Sequence, residues 1–178
     1  MGKLINTTSM TVDGVTDVGA WFVPEGEHDR ASLAVLAGAA GLVTGRTTYE
    51  GFVGFWPTQE GPWADTLNPM RKYVASRTLQ GKDPELPWNG TVIEGDAAEG
   101  VARLKAELAG DLVLTGCGEL ARTLIEAGLT DELLFWVHPS IGGAGTRPYG
   151  GATFDLELLG STAYDSGVSL LRYAPRAG

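Results

Sequence analysis

The sequence predicts an α/β fold with a mostly parallel sheet that ends in an antiparallel edge. Short apolar runs alternate with helix-like segments along most of the chain, and two strand-like runs follow each other near the C-terminus. Alternation of strands and helices is typical of a parallel sheet, whereas consecutive strands joined by a turn form a hairpin. With 178 residues, 43% of them apolar, we expect one globular domain over residues 1–178.

Eight strands are predicted from runs of apolar and β-branched residues. The 26 glycines lie mostly at the ends of these runs, which indicates tight turns between short elements. The last two runs flank "GSTAYDSG" and predict the hairpin. In chain order the predicted strands are Leu4–Met10, Leu42–Thr44, Tyr73–Ala75, Thr91–Ile93, Leu112–Thr115, Glu132–Val137, Phe154–Leu159 and Val168–Tyr173.

Four helices are predicted between these strands. The first has apolar residues at helical spacing, and the next two begin with the spacing of a capping box. The fourth lies between two glycines that mark its ends. These signals are Asp29–Ala40, Thr47 with Glu50, Asp96 with Glu99, and the segment from Gly118 to Gly128, while residues 55–69 are expected to form an irregular loop with one helical turn at most.

Charge and cysteine content exclude several classes of function. The net charge is −9 and no cluster of Lys and Arg is present, so nucleic acid is not an expected partner. The one cysteine, Cys117, cannot form an internal disulfide, and no paired Cys and His residues predict a metal site. No apolar segment approaches the about 18 residues of a membrane span, and no signal peptide is recognised. We therefore expect a cytoplasmic protein that acts on a small molecule.

Three predicted strand exits carry residues suited to phosphate binding. In open α/β sheets, ligands collect at the carboxyl ends of the strands, where glycines expose the backbone and helix N-termini offer free N–H groups. A glycine turn before a helix is more often only structural, so the prediction depends on all three exits together. They are Gly45-Arg46-Thr47-Thr48, Ser76-Arg77-Thr78 and Thr115-Gly116-Cys117-Gly118-Glu119.

The third exit matches neither of two common phosphate-binding motifs. After Gly116 and Gly118, the third glycine position of the Rossmann fingerprint is Ala121, and no Gly-Lys-Ser/Thr of a P-loop is present. A nucleoside triphosphatase is therefore not expected.

The segments "LVTGRTTYEGF", "KYVASRTL" and "LVLTGCGELARTLIEAGLTDELLFWVHPSIGGAG", in this order and spacing, resemble a known family. They are similar to the dihydrofolate-reductase-like fold, and specifically to the RibD C-terminal domain, the reductase part of the bifunctional riboflavin-biosynthesis deaminase-reductase. The resemblance implies an α/β fold with a mixed, mostly parallel sheet of about eight strands, flanking helices and an antiparallel C-terminal hairpin. It also implies an NADPH-dependent reductase, often a homodimer, that transfers a hydride to a small heterocyclic or carbonyl substrate.

The same resemblance implies the cofactor-binding residues. The first exit would bind the cofactor phosphates, and Ser76 and Arg77 would bind the adenosine 2′-phosphate, since an Arg can hold a phosphate with two parallel hydrogen bonds and so favour NADPH over NADH. The third exit would present backbone N–H groups to the pyrophosphate. The implied residues are Thr44, Gly45, Arg46, Thr47, Thr48, Ser76, Arg77, Thr115, Gly116, Cys117, Gly118, Glu119 and Leu120.

The substrate side is less well defined by sequence. RibD reductase domains carry Glu where this chain has Thr115, which argues against the ribosylaminopyrimidine substrate. Asp13, in "SMTVDG", is the first choice for a catalytic carboxylate, although a plain turn residue before Gly14 explains it equally well. The proton source required for hydride transfer is left open among Asp13, Glu25, Asp29 and Tyr49.

Aromatic residues near the predicted ligand edge leave two interpretations open. They could stack on a pterin-, pyrimidine- or flavin-like ring, or they could belong to the core or to a dimer interface. His138 is expected to be structural. The alternative to a reductase is a noncatalytic nucleotide-binding dimer that keeps the fold, and a flavin-binding protein is a third hypothesis. The aromatic residues are Trp21, Phe22, Tyr49, Phe52, Phe55, Trp56 and Trp63.

Overall fold

One nine-stranded sheet forms the centre of the molecule in the computed structural model, which describes residues 2–81 and 85–176. The strands are β1 (Leu4–Thr11), β2 (Ala39–Gly45), β3 (Lys72–Ala75), β4 (Glu85–Leu86), β5 (Gly90–Ile93), β6 (Asp111–Thr115), β7 (Glu132–His138), β8 (Leu156–Ala163) and β9 (Ser169–Pro175). Their order across the sheet is β4-β5-β3-β2-β6-β1-β7-β9-β8. The strands from β5 to β7 in this order pair in parallel, whereas β4, β9 and β8 pair antiparallel.

Helices cover both faces of this sheet. The described helices are α1 (Glu27–Ala37), α2 (Arg46–Val53), α3 (Pro62–Leu67), α4 (Ala97–Glu107) and α5 (Glu119–Glu126), with 3-10 turns at Trp56–Thr58 and Pro148–Gly151. In the described part of the chain, none of these helices combines the length and apolar character that a membrane crossing requires.

Alternating side chains along the central strands divide the core into two layers. On β2, Leu42 packs with the α1 and α3 side, whereas its neighbour Val43 packs with the α4 and α5 side. On β6, Val113 and Leu114 divide in the same way, because successive strand residues point to opposite faces. Strands that are buried on both faces are the reason why the sequence reads as short apolar runs without polar alternation.

The predicted architecture is confirmed, and its errors lie at element ends. The parallel sheet, the flanking helices and the C-terminal hairpin are present, with nine described strands where about eight were predicted. β4 was missed because two residues carry too little periodicity to be recognised. The hairpin turn is shorter than "GSTAYDSG", since Gly160 to Ala163 belong to β8, and Tyr164 N–H donates to Val168 O at 3.0 Å to close it.

The start of α4 agrees with the sequence prediction, whereas the starts of α2 and α3 differ from it. Asp96 caps α4 as predicted, accepting hydrogen bonds from the N–H groups of Ala98 and Glu99 at 2.9 and 3.0 Å. Thr47 is not a cap, because α2 already begins at Arg46 and no side chain caps it. The region 55–69 is more regular than predicted: Pro62 opens α3 at a position where its missing N–H costs nothing.

The first helix is also shifted from the predicted Asp29–Ala40. α1 covers Glu27–Ala37, and Ala39 and Ala40 begin β2 instead. Alanine favours a helix, so pairing with β6 overrides the propensity of these two residues, with a register shift between Ala39 and Gly41.

A buried lysine joins three elements at the amino-terminal edge of the sheet. Lys105 of α4 donates to the carbonyl of Leu129 at 2.7 Å and pairs with Asp131 at 2.5 Å. Asp131 also accepts a hydrogen bond from Leu4 N–H at 2.6 Å, at the start of β1. The ammonium group therefore holds α4 against the starts of β1 and β7.

Replacing this lysine is expected to destabilise the fold. The Lys105→Met variant removes the ammonium donor from the Leu129 carbonyl and leaves the Asp131 carboxylate with the Leu4 N–H but without its cation. We expect a loss of about 2 to 3 kcal/mol in the free energy of unfolding, the lower part of the range for broken buried pairs because Asp131 remains partly accessible to water. Urea denaturation measures this difference.

Lys3→Met is the matched control for that experiment. Lys3 is exposed and lies 4.0 Å from Glu132, so its loss should change the free energy of unfolding by about 0.5 kcal/mol or less. Equal stabilities of the Lys105→Met and Lys3→Met proteins would contradict a structural role of the buried ammonium group.

Candidate functional site

The three strand exits lie side by side at one edge of the sheet. β2 pairs in parallel with β3 on one side and with β6 on the other, so the carboxyl ends of all three face the same direction. Neighbouring strands are about 4.8 Å apart, and the exits therefore form one continuous surface. The geometry brings together the three segments that the sequence predicted as one site.

Arg46 connects the first exit to the second. Its Nη1 donates to Thr78 Oγ1 at 2.7 Å and its Nε donates to Glu50 Oε1 at 2.8 Å. Ser76 Oγ lies 3.2 Å from the same Thr78 hydroxyl. These contacts order the guanidinium of Arg46 and the hydroxyls of the second exit at the surface of the molecule.

Arg77 connects the second exit to the third. Its Nη2 lies 3.5 Å from Glu119 Oε1, and the side chains are 88% and 74% exposed. An ion pair this exposed contributes little to stability. A bound anion could therefore displace Glu119 from Arg77 at small cost.

The backbone of the first and third exits is open to a ligand. A Cβ added at Gly45 or Gly118 would meet no atom within 4 Å. Gly116 has a φ of +97°, which favours glycine, and a Cβ there would stand 3.3 Å from Thr48 Oγ1. α2 and α5 both begin at this edge without a side-chain cap, so their first N–H groups remain available to an external acceptor.

The carbonyl groups of the third exit are held from behind. The buried Asn6 amide donates to Leu114 O at 3.0 Å and to Gly116 O at 2.9 Å. Tyr149 donates its hydroxyl to Asn6 Oδ1 at 2.9 Å and its N–H to Cys117 O at 2.6 Å. With its carbonyls tied to the protein interior, the loop directs its N–H groups outward.

Cys117 takes the place of the second glycine in this loop. Its side chain is partly buried against the core, and burial is the main cause that raises the pKa of its thiol, with a smaller contribution from Asp17. No described residue follows a cis peptide bond. Thr44, also predicted at the cofactor site, is fully buried, so its side chain is part of the support of this edge.

The thiol of Cys117 is expected to react slowly in the folded protein. The raised pKa keeps it protonated near neutral pH, and burial restricts access, so alkylation by iodoacetamide should be about ten-fold slower than in the urea-unfolded chain. The chain has one cysteine, so mass spectrometry follows a single adduct. A folded protein that reacts as fast as the unfolded chain would contradict this environment.

A cavity of about 160 Å³ lies next to the three strand exits. Its floor is formed by the central strands β1, β6 and β7, and its walls by α1, α2, α3 and the 3-10 turn at Trp56–Thr58. The floor residues are Thr7, Ser9, Thr115, Trp136 and His138.

The walls of this cavity are aromatic and carry one carboxylate. Trp56 and Trp63 stack with ring centroids 6.2 Å apart, and Phe22 and Phe52 also line the cavity. Asp29 of α1 lines it as well, and Trp63 Nε1 donates to Asp29 Oδ1 at 3.0 Å. The indole fixes one carboxylate oxygen of Asp29 at the wall of an otherwise apolar cavity.

Two histidines meet at the end of the cavity under the Trp21–Phe22 loop. Both ring nitrogens of His28 have a hydrogen-bond partner: Nε2 is 3.1 Å from the Val23 carbonyl and Nδ1 is 2.9 Å from Ser166 Oγ. His138, whose ring centroid is 5.6 Å from that of His28, has no hydrogen bond from its ring to any described residue. Burial lowers the pKa of His138, and nearby His28 lowers it further.

Asp13 lies outside the residues that line the cavity. Its carboxylate accepts hydrogen bonds from Thr11 Oγ1 at 2.6 Å and from the N–H groups of Gly142 and Gly143, both at 2.8 Å. The bonds from Thr11 and Gly142 are the main causes that lower the pKa of the Asp13 carboxyl. An ionised carboxylate with three donors serves as an anchor between two loops, and its catalytic role stays a prediction.

The sequence analysis identified part of the cavity and missed part of it. Phe22, Phe52, Trp56 and Trp63 line it as the stacking hypothesis required. Tyr49 instead donates its hydroxyl to Pro87 O. Phe55 is 52% exposed and Glu25 is exposed as well. The missed residues Thr7, Ser9 and Trp136 follow the strand period of two, a signal that becomes readable once the sheet face is known.

Comparison with known proteins agrees with this geometry. The family model of the RibD C-terminal domain matches residues 2–170. The chain is 26% identical over 139 residues to the uncharacterized protein YyaP of Bacillus subtilis strain 168, a match that covers 74% of this chain and 72% of that protein.

Solved structures share the fold at low sequence identity. A putative riboflavin biosynthesis protein from Shewanella sp. PV-4 has a TM-score of 0.77 at 18% identity and covers 98% of this chain and 99% of its own. A pyrimidine reductase-like protein from Corynebacterium diphtheriae has a TM-score of 0.69 at 14% identity, covering 99% and 93%. RibD from Acinetobacter baumannii has a TM-score of 0.65 at 14% identity, covering 99% of this chain and 59% of that longer one. The chain therefore belongs to the RibD C-terminal domain family and has the dihydrofolate-reductase-like fold.

Proposed function

We propose that this protein is an NADPH-dependent reductase that acts on a small heterocyclic or carbonyl compound. The observation that carries the proposal is the position of the aromatic, carboxylate-bearing cavity directly beside an edge equipped for phosphate groups. Thr115 belongs to both, since it ends β6 at the third exit and lines the cavity. The kinship with RibD and with a pyrimidine reductase-like protein supports the same class of reaction.

The residues at the edge suit a dinucleotide that carries a 2′-phosphate. The open backbone at Gly45 and Gly118 and the uncapped starts of α2 and α5 suit phosphate oxygens. Arg77, with Ser76 beside it, offers an exposed guanidinium for a further phosphate. NADPH bound there would supply a hydride to a C=N or C=O bond in the cavity.

The protein must deliver a proton to complete such a reduction. The carbon of the C=N or C=O bond receives the hydride, and its nitrogen or oxygen takes up the proton. Asp29 is the carboxyl group that lines the cavity, and Trp63 orients it. We assign it the role of holding the substrate and passing the proton, either directly or through a water molecule.

Cofactor selectivity tests the first half of the proposal. The protein has five tryptophans, so titration with NADPH and NADH can be followed by quenching of their fluorescence. Arg77→Ala should weaken the binding of NADPH by about 30-fold, which corresponds to the loss of a charged hydrogen bond of about 2 kcal/mol. The affinity for NADH should change little.

An exposed arginine outside the edge is the control for this titration. Arg103→Ala, on α4, removes the same charge from the protein and should leave both affinities unchanged. If NADPH and NADH both fail to bind below millimolar concentrations, or if Arg77→Ala weakens them equally, the assignment of the 2′-phosphate to Arg77 is wrong.

Two aspartate variants test the second half of the proposal. In a screen of dihydropterins, pyrimidines and dicarbonyls for NADPH oxidation, Asp29→Asn should lower kcat by about 100-fold or more, since the amide cannot pass a proton. Asp13→Asn should have the smaller effect if Asp13 is only a loop anchor. The reverse order would return the catalytic role to Asp13, and tight NADPH binding without any turnover would favour the noncatalytic nucleotide-binding dimer.

A further inference from the structure

The cavity lining contains no permanently charged cation. Its lining residues all lie in the described part of the chain, and none of them is Lys or Arg. The one charged group among them is the carboxylate of Asp29. Arg30, which follows Asp29 on α1, is exposed and outside the lining, and Arg46 and Arg77 pair with Glu50 and Glu119 at the strand exits.

The imidazole of His138 is the second unusual polar group in the cavity. It is 2% exposed, and its ring makes no hydrogen bond to a described residue. The ring lines the cavity, where a ligand can supply a hydrogen bond that the described protein does not. His28, Trp21 and Phe22 surround the ring, and in this environment the imidazole remains neutral.

Two residues of the cavity floor, Thr115 and His138, lie at opposite ends of the cavity. Thr115 is in register with Thr7 on β1, whereas His138 is in register with Thr11. Four residues along a strand span about 13 Å. His138 also ends its strand at the carboxyl edge, but β7 is two strands away from β6 in the sheet. His138 therefore lies at the end of the cavity that is farther from the exits of β2, β3 and β6.

We propose that the substrate of this cavity is a planar ring without phosphate or carboxylate groups, and that His138 hydrogen-bonds to an uncharged polar substituent at the end remote from the cofactor. The inference rests on the proposed function, because it takes the cavity as the substrate site of that reductase. An anion would lose its hydration there, face the carboxylate of Asp29 and find no cation. A phosphoribosyl-pyrimidine is therefore excluded as substrate, and an uncharged or cationic ring is accepted.

Ligands of matched size separate charge from shape. We would measure binding of 6-hydroxymethylpterin against pterin-6-carboxylate, and of 6-methyluracil against orotate, by tryptophan fluorescence and by calorimetry. The uncharged member of each pair should bind about ten-fold or more tightly than the anion. A preference for the carboxylates, equal affinities within both pairs, or no binding of any of the four compounds would overturn the inference.

Three variants test the residues that carry the inference. Asp29→Asn should reduce the selectivity against the anions, whereas Asp65→Asn makes the same change on an exposed residue of α3 outside the cavity lining and should leave the selectivity unaltered. His138→Phe keeps an aromatic ring beside Trp21 and Phe22 and should weaken 6-hydroxymethylpterin by about five-fold, the loss expected for one neutral hydrogen bond, with 6-methyluracil unaffected.

Each outcome remains informative if one of these proteins folds poorly. Thermal melting is measured for all variants, and His138→Asn, which retains a nitrogen donor, should recover part of the 6-hydroxymethylpterin affinity if the hydrogen bond matters. Binding is measured without NADPH. Retained NADPH binding with no selectivity against anions would therefore reject this inference alone, and selective ring binding without NADPH binding would reject the reductase alone.

Discussion

Parallel pairing of the central strands is the constraint on which the rest of the molecule depends. Because β3, β2, β6, β1 and β7 run in one direction, every loop that follows them emerges at the same edge of the sheet. Segments as distant in sequence as Gly45, Ser76 and Thr115 thereby become neighbours. The cavity uses the same edge, with floor residues that come from three of these strands. One set of backbone hydrogen bonds thus fixes both the surface formed by the three strand exits and the cavity beside it.

The positions of the loops at this edge are secured by residues that do not face it. Asn6 satisfies both of its amide donors with carbonyls of the third exit, and Tyr149 completes the arrangement from a segment over a hundred residues away. Between two further loops, Asp13 and Asp17 accept hydrogen bonds from the N–H groups of Gly142, Gly143 and Thr146. Short-range sequence patterns carry no sign of either set of contacts, because their partners are brought together only by the folded sheet.

The order of elements and the position of the three exits at one edge could be predicted from sequence, because they depend on local signals: apolar runs, glycine turns, and hydroxyl and guanidinium groups after a strand. Features that depend on strand pairing or on side-chain packing could not be predicted in this way. Ala39 and Ala40 favour a helix by propensity, and only the pairing with β6 places them in a strand. The sequence left Asp29 as one of four candidates for the proton source. Only the packing of Trp63 against α1 distinguishes its position from those of Glu25 and Tyr49. Thr7 and Ser9 are unremarkable strand residues until the face that they share is identified.

The support of the third exit by Asn6 and Tyr149 has a consequence for how such proteins diverge. Because the loop is fixed through its main-chain carbonyls, its conformation is largely independent of the side chain at position 115. That side chain borders the cavity, so a residue of different chemistry can replace it while the surface formed by the three strand exits stays intact. Related proteins can therefore keep the same loop conformation and differ in the chemistry of the cavity through a substitution at position 115 alone.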